Sequence, residues 1–144
     1  MILPDVNVLV YAFHTGAPDH AQYREWLGTT LASDEPIGIS DLVLSGFVRV
    51  ATHPRIFERP APIDQALDFA DALRSQPTSA VLAPGRRHWQ IFVRLCRDAT
   101  AKGNLVADAY HAALAIESGS EWVTTDRDFS RFPGLRWRHP LANR

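Results

Sequence analysis

The sequence predicts an α/β domain in which helices cover both faces of a parallel sheet. Short apolar runs alternate with longer amphipathic stretches along the whole chain, the pattern of repeated strand–helix units. The segments joining successive strands read as helices, and such connections are what parallel strands require. The chain has 144 residues, 46% hydrophobic and 22% charged, enough to bury one core. The expectation is a single domain over residues 1–144, with any ligand bound beyond the carboxyl ends of the strands.

Met1 to Asp5 reads as the first strand, followed directly by a helix over residues 6–14. Asp19 is placed to cap a helix reaching about Leu31, with Tyr23, Trp26 and Leu27 on one face. Ile37 to Ile39 is a short buried strand. Ser40 or Asp41 then caps a helix to about Thr52, with Leu44, Phe47, Val48 and Ala51 as its inner stripe. His53-Pro54 ends that helix, because a residue before proline avoids the helical region. Residues 55–62 form a loop. A helix over residues 63–74 turns Leu67, Ala70 and Leu73 inward, and Ala80 to Leu82 is a weak third strand. A helix from Arg87 to about Ala101 carries Trp89, Phe92, Val93 and Cys96. Gly103-Asn104 breaks the pattern before a strong helix from Leu105 to Ser118, with Gly119 as its C-terminal cap. Trp122 to Thr124 is a fourth strand, Asp126 opens a short helix, and Pro133-Gly134 leads into a last strand near residues 135–137. Trp89, Trp122 and Trp137 are expected in the core.

Several classes are excluded. Apolar runs such as residues 6–13 are too short to span a membrane. No basic region precedes the first apolar stretch, and Asp5 interrupts it, so no signal peptide is read and a cytoplasmic location is expected. The lone Cys96 has no internal disulfide partner and reads as a core thiol. The formal net charge is −1, yet fourteen of the fifteen basic residues are Arg, and Arg127, Arg131, Arg136, Arg138 and Arg144 crowd the last eighteen positions. Cations bound to a few carboxylates would leave the remaining surface net positive. The planar fork of Arg suits phosphate, although a solvated Arg-rich surface has the same composition.

Three acids stand out by context. Asp5 ends the first strand, in Leu3-Pro4-Asp5-Val6-Asn7, and Asp126 follows the fourth, in Val123-Thr124-Thr125-Asp126-Arg127-Asp128. Parallel strands would bring both carboxylates out at one edge. Asp108 lies in a helix that is apolar on nearly every side, where an ionised carboxylate needs a partner. A divalent cation shared by Asp5, Asp108 and Asp126 would be such a partner. With no zinc-type spacing among the six histidines, Mg2+ or Mn2+ fits best. Such ions support phosphodiester hydrolysis by stabilising charge at phosphorus and activating water. Asn7, Thr124 and Thr125 are placed to orient a carboxylate, a water or the phosphate. Each acid also has a plainer reading: Asp5 and Asp126 as helix caps, Asp108 as a first-turn acid or the partner of an Arg, Asp128 as a solvated residue. No Gly-x-Ser-x-Gly elbow and no glycine-rich phosphate loop occurs.

The ordered set Asp5-Val6-Asn7, Asp108-Ala109-Tyr110-His111-Ala112-Ala113-Leu114-Ala115 and Thr124-Thr125-Asp126-Arg127-Asp128-Phe129 resembles the PIN-domain family, and within it the VapC-like ribonuclease toxins. The stretches over residues 46–57 and 132–137 share the likeness, which therefore runs along nearly the whole chain. The resemblance implies a three-layer α/β/α sandwich with a central parallel sheet and a Mg2+ or Mn2+ site. It implies an endoribonuclease that cuts structured RNA such as tRNA or rRNA, inhibited by a VapB-like antitoxin and forming a homodimer. Asp5, Asp108 and Asp126 match the metal-binding acids, and Asp128 matches a further acidic position that contributes in some members. One position departs. The family usually carries a Glu six residues after the Ser that opens the third helix, and here that position is Gly46, with Asp41 expected to point elsewhere and Ser45 or water to fill the gap. The alternative to catalysis is a non-catalytic PIN-like module that binds RNA or protein. A small-molecule phosphatase ranks last, because Asp5-Val6-Asn7 supplies only one acid of an Asp-x-Asp pair.

Overall fold

The computed structural model describes residues 1–142; Arg144 of the C-terminal Arg group lies outside the described residues. The strands are β1 (Ile2–Pro4), β2 (Ile37–Ser40), β3 (Ser79–Leu82), β4 (Glu121–Val123) and β5 (Trp137–Arg138). The helices are α1 (Val6–Phe13), α2 (His20–Ala32), α3 (Asp41–Ala51), α4 (Ile63–Arg74), α5 (His88–Asp98) and α6 (Asn104–Ser118), with a 3-10 turn at Arg127–Arg131. The five strands form one parallel sheet in the order β3-β2-β1-β4-β5. The chain winds from β1 outward through β2 to β3, then crosses back to lay β4 on the other side of β1. With right-handed crossovers, that reversal sends α5 and α6 to the face opposite α1–α4. Helices thus cover both faces, as the sequence predicts.

The central strands are buried on both sides. Leu3, Trp122 and Val123 have no exposed surface, and Ile2 and Ile37 almost none. This is why β1 reads as a continuous apolar run instead of an alternating one. On the α1–α4 face, Phe47 is fully buried and meets the rings of Phe13 and Phe69 at centroid distances of 5.2 and 5.0 Å. Ser40 caps α3 by accepting from the Val43 amide at 3.4 Å, and Gly119 closes α6 in the left-handed conformation at φ 67°.

Several expectations need correction. Asp19 sits ahead of α2 but in the left-handed region (φ 55°), and its side chain caps nothing. Its carbonyl accepts the Gln22 and Tyr23 amides instead. On α4 the inward residue is Ala66, while Leu67 is 44% exposed, so the buried stripe is Ala66, Ala70 and Leu73. Trp89 is not in the core: at 66% exposure it stands out from α5. α6 begins at Asn104, so Asp108 lies beyond its first turn and is no first-turn acid. The last strand falls at Trp137–Arg138, two residues later than residues 135–137 began it. Among the described residues, no helix is long and apolar enough to cross a membrane.

Candidate active site

β1 and β4 are neighbours at the point where the winding of the sheet reverses, with Pro4 paired to Val123. Their carboxyl ends therefore open into the crevice where ligands bind in sheets of this kind. The backbone sets the acids there. The Asp5 amide donates to the Val123 carbonyl at 2.8 Å, so Asp5 continues the β1–β4 ladder by one residue before α1 begins.

Asp5 is only 7% exposed. One carboxylate oxygen accepts the Val6 amide at 2.6 Å, capping α1, and the other accepts the Thr124 hydroxyl at 2.7 Å. Thr124 is fully buried, and its Oγ1 also accepts the Asp126 amide at 3.0 Å. A single hydroxyl thus ties the two strand-end acids together. Asp126 in turn accepts the Asp128 amide at 2.9 Å and caps the 3-10 turn. The capping role holds for both acids, yet each cap occupies only one oxygen.

Asp108 reaches the same patch from α6. Burial raises its carboxyl from 3.8 to about 6, and the charges of Asp126, Asp5 and Asp128 push it further the same way. Asp5 is likewise raised to about 6, mainly by burial; its hydrogen bonds to Thr124 and Val6 oppose the rise, and the charge of Asp126 adds to it. Asp5 thus feels the charge of Asp126, and Asp108 that of Asp126, Asp5 and Asp128, which puts these acids within reach of one another. None of them takes part in an ion pair among the described residues, where the pairs are Met1–Glu35, Arg74–Asp41 and Arg138–Glu121. A protein rarely gathers buried carboxylates without a cation. The donors are all oxygen, which suits a hard divalent ion. Among the described residues, no three acidic, histidine or cysteine side chains stand as a ready-made coordination shell. The Asp5 oxygens are held by Val6 and Thr124, so a bound ion would draw Asp108 and Asp126 inward.

The supporting positions separate. Thr124 bridges the acids as described. Asn7 lies in the first turn of α1 and Thr125 beside Asp126, both partly exposed, and Asp128 is exposed. His111, three residues after Asp108, stacks on Trp122 with centroids 5.4 Å apart and planes 17° apart. Burial lowers its imidazole from 6.5 to about 4, so it packs as a neutral ring.

Gly46 is more than a missing acid. A Cβ there would stand 2.9 Å from Val6 Cγ2, so the bare backbone is what lets α3 approach α1 beside Asp5. Asp41 points away and pairs with Arg74 at 2.9 Å. Ser45 is exposed and lines the same cleft as Gly46. Because Val6 is β-branched and stiff, Gly46→Glu is expected to cost about 1–3 kcal/mol by overpacking. A urea melt measures this, and an unchanged midpoint would show that α1 yields freely.

One feature escaped sequence reasoning. Arg49, Phe92 and Tyr110 come from three helices and line a cleft flanking the acids. The only sequence signal was Arg49 one turn beyond Ser45, on the exposed face of α3.

Comparison with known proteins places this geometry. The profile of the PIN domain matches residues 2–135. Ribonuclease VapC43 of Mycobacterium tuberculosis is 47% identical over 141 residues, covering 98% of this chain and 96% of that protein. Among solved structures, VapBC2 from Rickettsia felis, bound to a DNA fragment from the promoter, superposes with a TM-score of 0.69 at 20% identity over 96% of this chain and 98% of that one. VapC20 of Mycobacterium tuberculosis, described as a sarcin–ricin loop cleaving toxin, gives 0.66 at 18% identity, covering 94% and 99%. Ribonucleases with this domain depend on a metal ion.

Proposed function

The chain belongs to the PIN-domain family, and from that premise we propose that it is a metal-dependent endoribonuclease, the toxin half of a toxin–antitoxin pair. The observation that carries the reading is the group formed by buried Asp5 at the end of β1, half-buried Asp126 after β4 and half-buried Asp108 from α6, none of them in an ion pair among the described residues. Relatives called ribonucleases over almost the full length support it.

In this reading Asp5, Asp108 and Asp126 hold Mg2+, with Mn2+ as a substitute, and Asp128 contributes from the rim. Gly46 leaves the family's further Glu unsupplied. When bound, the ion supplies charge stabilisation at the scissile phosphate and acidifies the attacking water. The chain's own part is positioning. Thr124 fixes the carboxylate of Asp5 and the backbone of Asp126 together, so the two donors keep their spacing. Asn7 and Thr125, half-buried and close in the chain to Asp5 and Asp126, orient phosphate or water in this reading. His111 stays neutral against Trp122 and leaves proton transfer to water and the carboxylates.

The substrate is structured RNA, tRNA or rRNA, bound largely through Arg on its phosphates, so affinity falls steeply with salt. The partners are a VapB-like antitoxin and a second copy in a homodimer, the location is the cytoplasm, and residues 1–144 act as one PIN domain. The test is cleavage of total cellular RNA by purified, antitoxin-free protein with Mg2+ or Mn2+, then with EDTA. Discrete fragments that vanish with EDTA are expected. A folded, metal-replete protein that cuts nothing would overturn the reading in favour of a non-catalytic RNA- or protein-binding module.

A further inference from the structure

An open cleft of about 590 Å3 runs between α3 and the paired helices α5 and α6. It adjoins the acids: Val6 follows Asp5, His111 lies one turn beyond Asp108, and both line the cleft. Phe92 and Tyr110 give it aromatic surface, their rings 5.8 Å apart at 68°. Gly46 adds bare backbone where a side chain would intrude. Arg49 is the only cation in the lining, and no Asp or Glu lies there. Its guanidinium is exposed and makes no ion pair among the described residues.

These features select a ligand class. A flat apolar body fits aromatic walls, and an unpaired guanidinium fits an anion. The volume lies within the roughly 300–1,000 Å3 usual for small-ligand sites. Continuity with the acids decides what the ligand is attached to. We propose that this cleft is the subsite for the nucleotide next to the scissile phosphate, its base against Phe92 and Tyr110 and a flanking phosphate on Arg49. The proposal rests on the nuclease reading for the direction of the RNA, but the contact itself is testable without cleavage.

Two measurements separate the subsite from the nuclease. The first is photocrosslinking of short single-stranded RNAs carrying 4-thiouridine to the full chain in EDTA, with the crosslinked residue mapped by mass spectrometry. Crosslinks at Phe92, Tyr110 or Val106 are expected, with yield falling roughly tenfold in Arg49→Ala, the order of effect of one base or phosphate contact. The second is steady-state cleavage. Arg49→Ala should raise KM roughly tenfold with kcat little changed, and Tyr110→Leu should also relax base preference beside the cut. Arg49 is a surface residue, so its removal does not threaten folding. Crosslinks confined to other surfaces, such as the exposed Trp89 side of α5, would overturn the subsite. So would an Arg49→Ala protein with wild-type KM, or a cleft closed off by the second copy in the dimer. Cleft crosslinks without any metal-dependent cleavage would keep the subsite and sink the nuclease instead.

Discussion

Asp5→Asn lowers RNA cleavage roughly 1,000-fold and, in the absence of metal, makes the protein more stable. Both effects come from one group. As an ion ligand, the carboxylate supplies charge that the amide cannot, and losses of this order follow removal of a single electrostatic contributor to a phosphoryl or acyl transition state. As a buried ion, the same carboxylate is costly. Its pKa is raised from 3.8 to about 6, equivalent to about 3 kcal/mol of destabilisation at neutral pH. Asn keeps the shape, can still accept the Val6 amide, and can face Thr124, whose hydroxyl is free to turn. We expect about 1–3 kcal/mol of added stability in EDTA, or several degrees in Tm. Single-turnover cleavage and a thermal melt on one preparation read both effects. A loss of activity accompanied by a loss of stability would point to Asp5 as a structural cap alone.

The stability gained by Asp5→Asn depends on pH in a defined direction. Between about pH 4 and 6 the folded protein keeps a proton on Asp5 that the unfolded chain has released. Stability from this group therefore falls as pH rises through that window, and the full cost is present above about pH 6. Asp108 acts with the same sign. His111 opposes them: its pKa is lowered to about 4, so the unfolded chain takes up a proton first and stability falls as pH drops below 6.5. The wild-type curve alone mixes these contributions. The difference between Asp5→Asn and wild type removes His111, which both proteins share. That difference should be largest above pH 6 and shrink towards zero near pH 4. Mg2+ should stabilise the wild type above pH 6 by mass action and lose its effect as the acids protonate. Denaturant melts at a series of pH values measure this, and a difference independent of pH would contradict the burial of an ionised Asp5.

Much of the fold was legible because strand and helix alternate so regularly. Gly119 and Ser40 marked helix ends correctly. What was legible of the candidate site is its grouping: Asp5 at the end of the first strand, Asp126 just after the fourth and Asp108 as a charge in an alanine-rich helix meet at one edge of the sheet. Other features depend on rotation about a helix axis, which a short sequence fixes poorly. On α4, Ala66 and Leu67 both fit an apolar stripe, and the smaller residue went inward because α4 packs close to α3. On α5 the buried line runs through His88 and Leu95, and Trp89 lies off that line and stays outside. Gly46 illustrates a deeper limit. The sequence shows an acid missing, while the structure shows a close contact between α1 and α3 that only a glycine allows. The cleft was not legible because its α3 wall and its α5–α6 wall lie more than forty positions apart in the chain.

The measurement that bears most directly on the acid cluster is Mn2+ binding followed by electron paramagnetic resonance, on wild type and on Asp108→Asn. Asp108 is the best choice because it neither caps a helix nor bridges the strands, so its loss leaves the fold intact. If Asp5, Asp108 and Asp126 share an ion, the wild type takes Mn2+ out of the free pool, Mg2+ competes it off, and Asp108→Asn binds at least tenfold more weakly. Mn2+ uptake by Asp108→Asn equal to that of the wild type would place the ion elsewhere and contradict the account.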